Sequence, residues 1–295
     1  MKLYKLGKVF ALGFVSVILL TACGSSEKIS TAANNNENED KTEEVMKIKI
    51  AFSQDGKPIS YVDENGEAAG YEVDAMKLVD EKLEQYEFEF VPSTSDDIFI
   101  GVEQGKYAVG IKNAFFTEER TAKYLYPKEF LGLSSTGLVL KAENANIKSL
   151  SDLASAGLSL APIASSSAQY TLVAKFNEQN PDNQIELKAG DEFSLDVVQW
   201  VNEGRSDSAI ALEAIYNKQV LDEEGPYHQF KDDLVYNEFA VIETWPLFNK
   251  NQQEFADAYD KAMSEIKKTD ALSKLMEKYY DKDLFALLIV RINIY

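Results

Sequence analysis

"YEVDAMKLVDEKLEQYEFEFV", Tyr71 to Val91, carries two periodicities in succession. Val73, Met76, Val79 and Leu83 recur every three or four residues and set one apolar stripe along a helix, while "YEFEFV" alternates apolar and charged residues as a half-buried strand does. Upstream, "KIKIAF" from Lys47 alternates in the same way, and the turn "DENGE" lies between. Strand, helix and strand in this order imply a crossover, with the two strands parallel in one sheet and the helix on its face.

The rhythm continues outward. A helix is expected from near Asp96 to Gln104, then a strand "YAVGI", a helix starting near Thr117 and a strand "STGLVLK". After "KAENANIKSLSDLASAG" a second series begins. It reads strand "LSLAPI", helix Ser166 to Gln179, strand "QIELKAG", helix "DEFSLDVVQWVNEG", strand "SAIAL" and helix "EAIYNKQV". "DDLVYNEFAVIETWPLFNK" then resumes strand character, and two helices follow, "QQEFADAYDKAMSEIKK" and "DALSKLMEKYY", the first with Phe255, Tyr259, Ala262 and Ile266 on one face. No short internal repeat is present. A chain of 295 residues holds two cores of roughly 100 to 150 residues each. The expected fold is therefore α/β, with two lobes, each a mainly parallel central sheet flanked by helices, and two crossings between them. Residues 47–140 form the first part of lobe 1, 141–234 lobe 2, and 235–284 the return to lobe 1 with the terminal helices. Residues 285–295, with "ALLIVRINIY", form an apolar tail too short to span a bilayer; no role is assigned to it.

Residues 1–22 read as an export signal: Lys2, Lys5 and Lys8 precede the apolar "VFALGFVSVILL" and the small residues "TA". The sole cysteine, Cys23, has no partner for an internal disulfide. "LTACGSS" resembles the bacterial lipobox, in which cleavage occurs before a cysteine that receives diacylglycerol and usually a further acyl chain. Two or more acyl chains anchor a protein stably. Residues 23–46 lack aromatics and are rich in Asn, Ser and Glu, the composition of a flexible tether.

A net charge of −19, with acidic residues spread along the chain, argues against nucleic acid as a partner, because phosphate contacts need clustered Lys and Arg. One histidine, His228 in "GPYHQF", and one cysteine leave no material for a histidine-based triad or a Cys–His pair. "DENGEAAGYEVD" lacks the spacing of a calcium loop, and no zinc signature is visible. No metal, cofactor or enzymatic activity is expected.

Three segments, "KPISYVDENGEAAGYEVDAMKLVDEKL", "GVEQGKYAVGIKNAFFTEER" and "VVQWVNEGRSDSAIALEAIY", together resemble the solute-binding proteins of bacterial amino-acid ABC transporters, family 3, over roughly Lys47 to Asp283. The resemblance implies the type II periplasmic-binding-protein fold, in which two lobes joined by two hinge strands close on a small amino acid. It places Arg120, of "T-x-x-R", on the ligand's α-carboxylate. A guanidinium offers a carboxylate two parallel charge-assisted bonds. If Thr117 caps the helix, Arg120 also stands in a first turn where a cation is locally disfavoured, beside Glu118 and Glu119, which are favoured there.

On the same side, the resemblance puts Asn113 and Phe115 of "KNAFFT" along the cleft wall. In the other lobe it points to Ser165, Ser166 and Ser167 of "IASSSAQY", where hydroxyls and free N–H groups at a helix start form an anion site; plain capping by one of them is the other reading. Many members hold the α-ammonium with an aspartate where this chain has Leu212. Either the adjacent Glu213 replaces it or the amine is held otherwise. Aromatic stacking positions of the family read Lys57 and Ser95 here. A polar, sulfur-containing or modified amino acid is thus compatible with the site. The implied protein is a monomeric, lipid-anchored receptor on the extracytoplasmic face of the bacterial membrane, delivering ligand to ABC permease subunits. A surface lipoprotein acting as a sensor or adhesin, and a carboxylate-based hydrolase, are the alternative readings.

Overall fold

The computed structural model describes residues 45–165, 167–190 and 196–287. The expected signal segment, almost all of the tether with Cys23, the turn residue Ser166, and the tail beyond residue 287 lie outside the described residues. In chain order the elements of the first part are β1 (Met46–Ser53), β2 (Asp55–Gly56), β3 (Ser60–Val62), β4 (Ala68–Ala69), α1 (Tyr71–Asp80), β5 (Tyr86–Ser93), α2 (Ser95–Glu103), β6 (Val109–Ala114), α3 (Glu118–Thr121) and β7 (Gly132–Lys141). The middle part holds α4 (Leu150–Ser155), β8 (Ile163–Ala164), α5 (Ala168–Gln179), β9 (Ala189–Gly190), α6 (Val197–Asn202), β10 (Ser208–Leu212) and α7 (Glu213–Tyr216), which continues into a π-turn, Asn217–Leu221. β11 (Leu234–Phe248), α8 (Gln253–Ile266) and α9 (Ala271–Tyr280) complete the series.

The principal sheet has the order β10-β7-β11-β6-β1-β5. β5, β1 and β6 are parallel, as the Tyr71–Val91 pattern requires, and β11 closes that set antiparallel to β6. β11 is long because it serves both lobes. Its first part, Leu234 to Thr244, pairs with β7, and its last residues pair with β6. β7 and β11 are thus the two strands that cross between lobes.

Period-two alternation in β1 sends Ile50 and Phe52 to one face, against α1, α8 and α9, and Ala51 to the other, against Ile98 and Val102 of α2. On the first face Val73, Met76 and Val79 meet Phe255, Tyr259 and Met276, all essentially inaccessible to solvent. Burial of a side chain such as Phe255 contributes about 1.5–3 kcal/mol. α1 can start where it does because Gly70 has φ 112°; a Cβ there would lie 2.6 Å from the Ile59 carbonyl oxygen. In lobe 2, Leu138, Leu140 and Ile210 pack with Leu153 and Val173 on one face of the sheet. Val139, Ala209 and Ala211 pack with Val198 and Val201 on the other.

Lobe 2 departs from the expected mainly parallel sheet, because β10 and β11 both run antiparallel to β7 and, among the described residues, only β8–β9 and one bridge are parallel; it departs from the expected strand lengths too. "LSLAPI" yields a single parallel bridge, Leu160 to Ser208, and the two residues of β8, because Pro162 has no N–H for a ladder. "QIELKAG" contributes only β9, parallel to β8. Ile185 instead gives its N–H to Asn177 Oδ1 and accepts at its carbonyl from Asn177 Nδ2, both at 2.8 Å. A side chain of α5 thereby takes the place of a strand partner. α5 begins at Ala168, with Ser167 as its cap, two residues later than expected. The helix anticipated near Thr117 is a single turn.

Candidate functional site

Strand register fixes which edges of the lobes face each other. β11 enters lobe 1 from lobe 2 with Trp245 opposite Ala114, the last residue of β6, and leaves with Phe248 opposite Val109, the first. The carboxyl ends of β1, β5 and β6 therefore point toward lobe 2. Crevices at the carboxyl ends of parallel strands are where open α/β sheets bind ligands. In lobe 2, β10 runs antiparallel to β7 and ends at Leu212, opposite Thr136 in the middle of β7, so Glu213 follows at the end of β10 that is directed to lobe 1. Leu160 runs parallel to Ser208, which sends the Ile163 to Ser167 turn to the same edge.

The loop after β6 forms the lobe 1 corner. Thr117 caps α3, its hydroxyl accepting from the Arg120 N–H at 3.3 Å. The Arg120 side chain folds back: Nη1 donates to the Phe115 carbonyl at 2.9 Å, and its guanidinium carbon sits 5.2 Å from the centre of the Phe99 ring. Tyr126 donates its hydroxyl to the same carbonyl at 3.1 Å. Arg120 is half-buried and forms no ion pair among the described residues. On so acidic a chain, that leaves a partly desolvated cation with coordination to spare.

Asn113 adopts φ 56°, a left-handed conformation that asparagine tolerates better than most residues. The conformation is held from beneath. Its N–H donates to both oxygens of Glu72, at 3.1 and 3.0 Å, and its Nδ2 donates to Ser134 Oγ at 3.2 Å. Glu72 is 1% exposed, and burial pushes its carboxyl up to about 7 against the opposing effect of the bonds from Asn113 and Thr244. Phe115 is half-buried, while Phe116 is exposed and packs on Tyr126 and Trp245.

Across the cleft, Ser167 accepts from the Tyr170 N–H at 3.2 Å and so caps α5, and Ser165 is exposed in the turn. Ser166 lies outside the described residues. Among the described residues no hydrogen bond links Ser165 or Ser167 to Arg120. Glu213, which starts α7, is ion-paired with Lys282, and the same ammonium reaches Glu238 Oε2 at 2.7 Å. Ser135 donates to that oxygen at 2.6 Å. Lys282, just beyond α9, thus joins the C-terminal part of lobe 1 to the head of α7 and to the hinge strand. Glu213 is held by a cation of this chain, sixty-nine positions away in the sequence, a pairing that no local pattern announces.

A cavity of about 610 Å³ opens between the lobes, walled by Gly56, Lys57 and Ile59 on one side and by Ala214, Ile215 and Gln219 on the other. Lys57 borders it, 5.6 Å from the Tyr61 ring. Arg120 and Asn113 are not in its wall. His228 sits in a short 3-10 turn with Nε2 3.4 Å from Lys231 Nζ; it is not in the cavity wall, although Gly225 and Pro226 just before it are.

Three participants do not stand out in the sequence: Glu72, Lys282 and Lys112. The third has a readable signal. β6 is apolar apart from Lys112 and Asn113, and Lys112 shares the α2-facing side of the strand with Gly110, where a Cβ would meet Ile98 and Val102.

The profile of bacterial extracellular solute-binding proteins, family 3, matches residues 48–282. The chain is 27% identical over 269 residues to the L-cystine-binding protein TcyJ of Bacillus subtilis (strain 168), covering 91% of this chain and 93% of that protein. It is 24% identical over 274 residues to TcyK, another L-cystine-binding protein of the same organism, covering 92% and 95%. Among solved structures, the probable amino-acid ABC transporter extracellular-binding protein ytmK from Bacillus subtilis superposes with a TM-score of 0.61 at 22% identity, over 80% of this chain and 98% of that one. The matched span takes in β1 through α9 and both crossing strands, and on it the chain belongs to the bacterial extracellular solute-binding proteins, family 3.

Proposed function

We propose that this chain is the substrate-binding subunit of an ABC importer for an amino acid, and that it takes its ligand by closure of the two lobes about β7 and β11. The observation that carries the reading is Arg120: a half-buried guanidinium at the cleft edge of lobe 1, held by the Phe115 carbonyl, the Tyr126 hydroxyl and the Phe99 ring, and without an ion pair among the described residues. It receives the α-carboxylate, and Asn113 and Phe115 line the same wall. On the lobe 2 side we assign the ligand's contacts to the run Ser165, Ser166 and Ser167. Sulfur-containing amino acids of the cystine type are the first class to test, since two similar proteins are named for L-cystine.

A ligand that touches both lobes has more affinity for the closed arrangement than for the open one, and that difference drives closure. Because Lys282 already occupies the Glu213 carboxylate, we assign Glu213 to closure and expect other acceptors to hold the ligand's amine. Acylation at Cys23 would tether the body to the outer face of the membrane within reach of the permease; the run "LTACGSS" supports this. We read the lobes as residues 47–140 with 235–284, and 141–234, and the protein as a monomer that performs no chemistry on its ligand.

Calorimetric titration of the full chain with an amino-acid panel that includes L-cystine tests the reading. Binding in the micromolar range, about −8 kcal/mol, with ligand recovered unchanged, is the expected result. Arg120→Gln should weaken it by roughly 30- to 1000-fold, the loss of about 2–4 kcal/mol that follows removal of one partner of a desolvated charge pair. An unaltered dissociation constant in that variant would take Arg120 out of the site, and turnover of the ligand would replace the receptor by an enzyme.

A further inference from the structure

Phe99, on the cleft-proximal half of α2, carries two cations. Lys112 Nζ lies 3.7 Å from the ring centre and the Arg120 guanidinium carbon 5.2 Å from it. The two charges are therefore no farther apart than those distances laid end to end. Both side chains are half-buried, and neither forms an ion pair among the described residues. The chain has 49 acidic residues against 30 basic ones, so a carboxylate partner for each would be easy to supply. Instead two like charges share one aromatic ring at the carboxyl end of β6, the edge that faces lobe 2.

The surroundings of Lys112 are defined on every side. Arg120 stands on α3, Asp96 on the exposed first turn of α2, and Glu72 on α1 with its carboxylate turned to the Asn113 N–H. Asp96 and Glu72 favour the charged lysine from beyond ion-pair distance, while burial and Arg120 oppose it more strongly and push its ammonium down to about 8. Such an arrangement is incomplete without an anion. One carboxylate satisfies the bidentate fork of Arg120 and leaves Lys112 still unmatched.

We propose that Lys112 is a specificity-determining ligand contact, selecting with Arg120 an amino acid that bears a second acidic group, a carboxylate or a sulfur oxyanion. This rests on the reading of Arg120 as the α-carboxylate site and names the ligand class more narrowly. A second consequence follows from the same geometry. An anion placed on Lys112 favours its protonated form, so binding near pH 8 takes up protons from solution.

The test uses matched pairs in which the second acid is present or absent: L-glutamate against L-glutamine, and L-cystine against S-methyl-L-cysteine. Calorimetry on the full chain should show at least a tenfold preference for the acidic member of one pair. Lys112→Met should erase that preference, lowering the affinity for the acidic member at least tenfold more than that for the neutral member. Titrations at pH 8 in buffers of different ionisation enthalpy should show proton uptake by the wild-type protein, and Lys112→Arg, which cannot lose its proton there, should keep the preference without the uptake. No preference in the wild type, or a preference that survives Lys112→Met, overturns the inference and leaves the receptor reading standing. Binding by no amino acid at all removes both. Because the wild-type preference and proton uptake are read without any substitution, an unfolded variant does not shield the inference.

Discussion

Glu72→Gln isolates one buried ionisation. In the folded chain the Glu72 carboxyl is enclosed, and burial raises it from 4.5 to about 7. A tenfold change in proton affinity is worth about 1.4 kcal/mol, so the folded state holds this proton more tightly than the unfolded chain by about 3 kcal/mol. With 1% exposure no discount for solvent screening applies. By linkage, a carboxyl raised on folding contributes stability that is fully present below about 4.5, declines as pH rises, and is gone above about 7. Glutamine cannot ionise, yet its Oε1 can accept from the Asn113 N–H and its Nε2 can donate to the Thr244 hydroxyl. The variant should therefore keep the loop and lose the titration. Urea unfolding followed by circular dichroism at constant ionic strength, from pH 4 to pH 8, should show the wild type losing about 3 kcal/mol relative to Glu72→Gln across that window. Glu243 is also raised by burial, so the difference between the two profiles is the quantity to read. Profiles that run parallel would refute the reasoning, since Glu72 would then ionise without cost.

Lys282→Met removes the cation shared by Glu213 and Glu238. These groups are about a quarter exposed, between the exposed and the buried regimes, so a loss of about 1–2 kcal/mol is expected. A double-mutant cycle with Glu213→Gln should give a coupling energy above about 0.5 kcal/mol, and small-angle scattering of the ligand-free protein should report a larger radius of gyration for the single variant. Thr117→Ala deletes the cap of a one-turn helix and should cost about 1 kcal/mol or less in unfolding experiments, while loosening Arg120 enough to raise the ligand dissociation constant in calorimetry. Phe255→Ala empties a position packed by Tyr86, Phe88 and Phe248 and should lower stability by about 3–5 kcal/mol, measured as a shift of the urea midpoint with an unchanged slope.

The parts of the chain that can be read from sequence are those in which one local rule governs. The α1 stripe of Val73, Met76 and Val79 and the alternation of β1 and β5 answer to a single core face each, and the structure uses them so. α8 is equally plain, with Phe255, Tyr259, Ala262 and Ile266 all buried. Reading fails where a side chain substitutes for a strand, as Asn177 does for Ile185, or where proline empties a ladder position, as Pro162 does. It fails again where charge partners are remote. Arg120 is legible through the "T-x-x-R" segment, while the dipole argument falls away because α3 is a single turn in which Arg120 is also the cation of the last turn. Glu213 looks equally available in the sequence, but in the fold Lys282 stands against it. Lys112 is visible as the lysine of an otherwise apolar strand face, but the Phe99 ring that gives it meaning comes from a different element.

The crossing of β7 and β11 also orders the assembly of the molecule. The cores of lobe 2 draw only on residues between Leu138 and Phe239, a continuous stretch of chain. The main core of lobe 1 joins Ile48 to Leu133 with residues from Val241 onward, the two ends of the body. Contacts so distant in sequence close late, because the intervening loop must be ordered before they gain anything. A chain emerging from its amino terminus can therefore complete the second lobe as soon as β11 appears, while the first lobe stays open until α8 and α9 arrive. The half that carries Arg120 is thus the last to acquire its shape, and a chain cut short after β11 keeps the core of lobe 2 without a finished core in lobe 1.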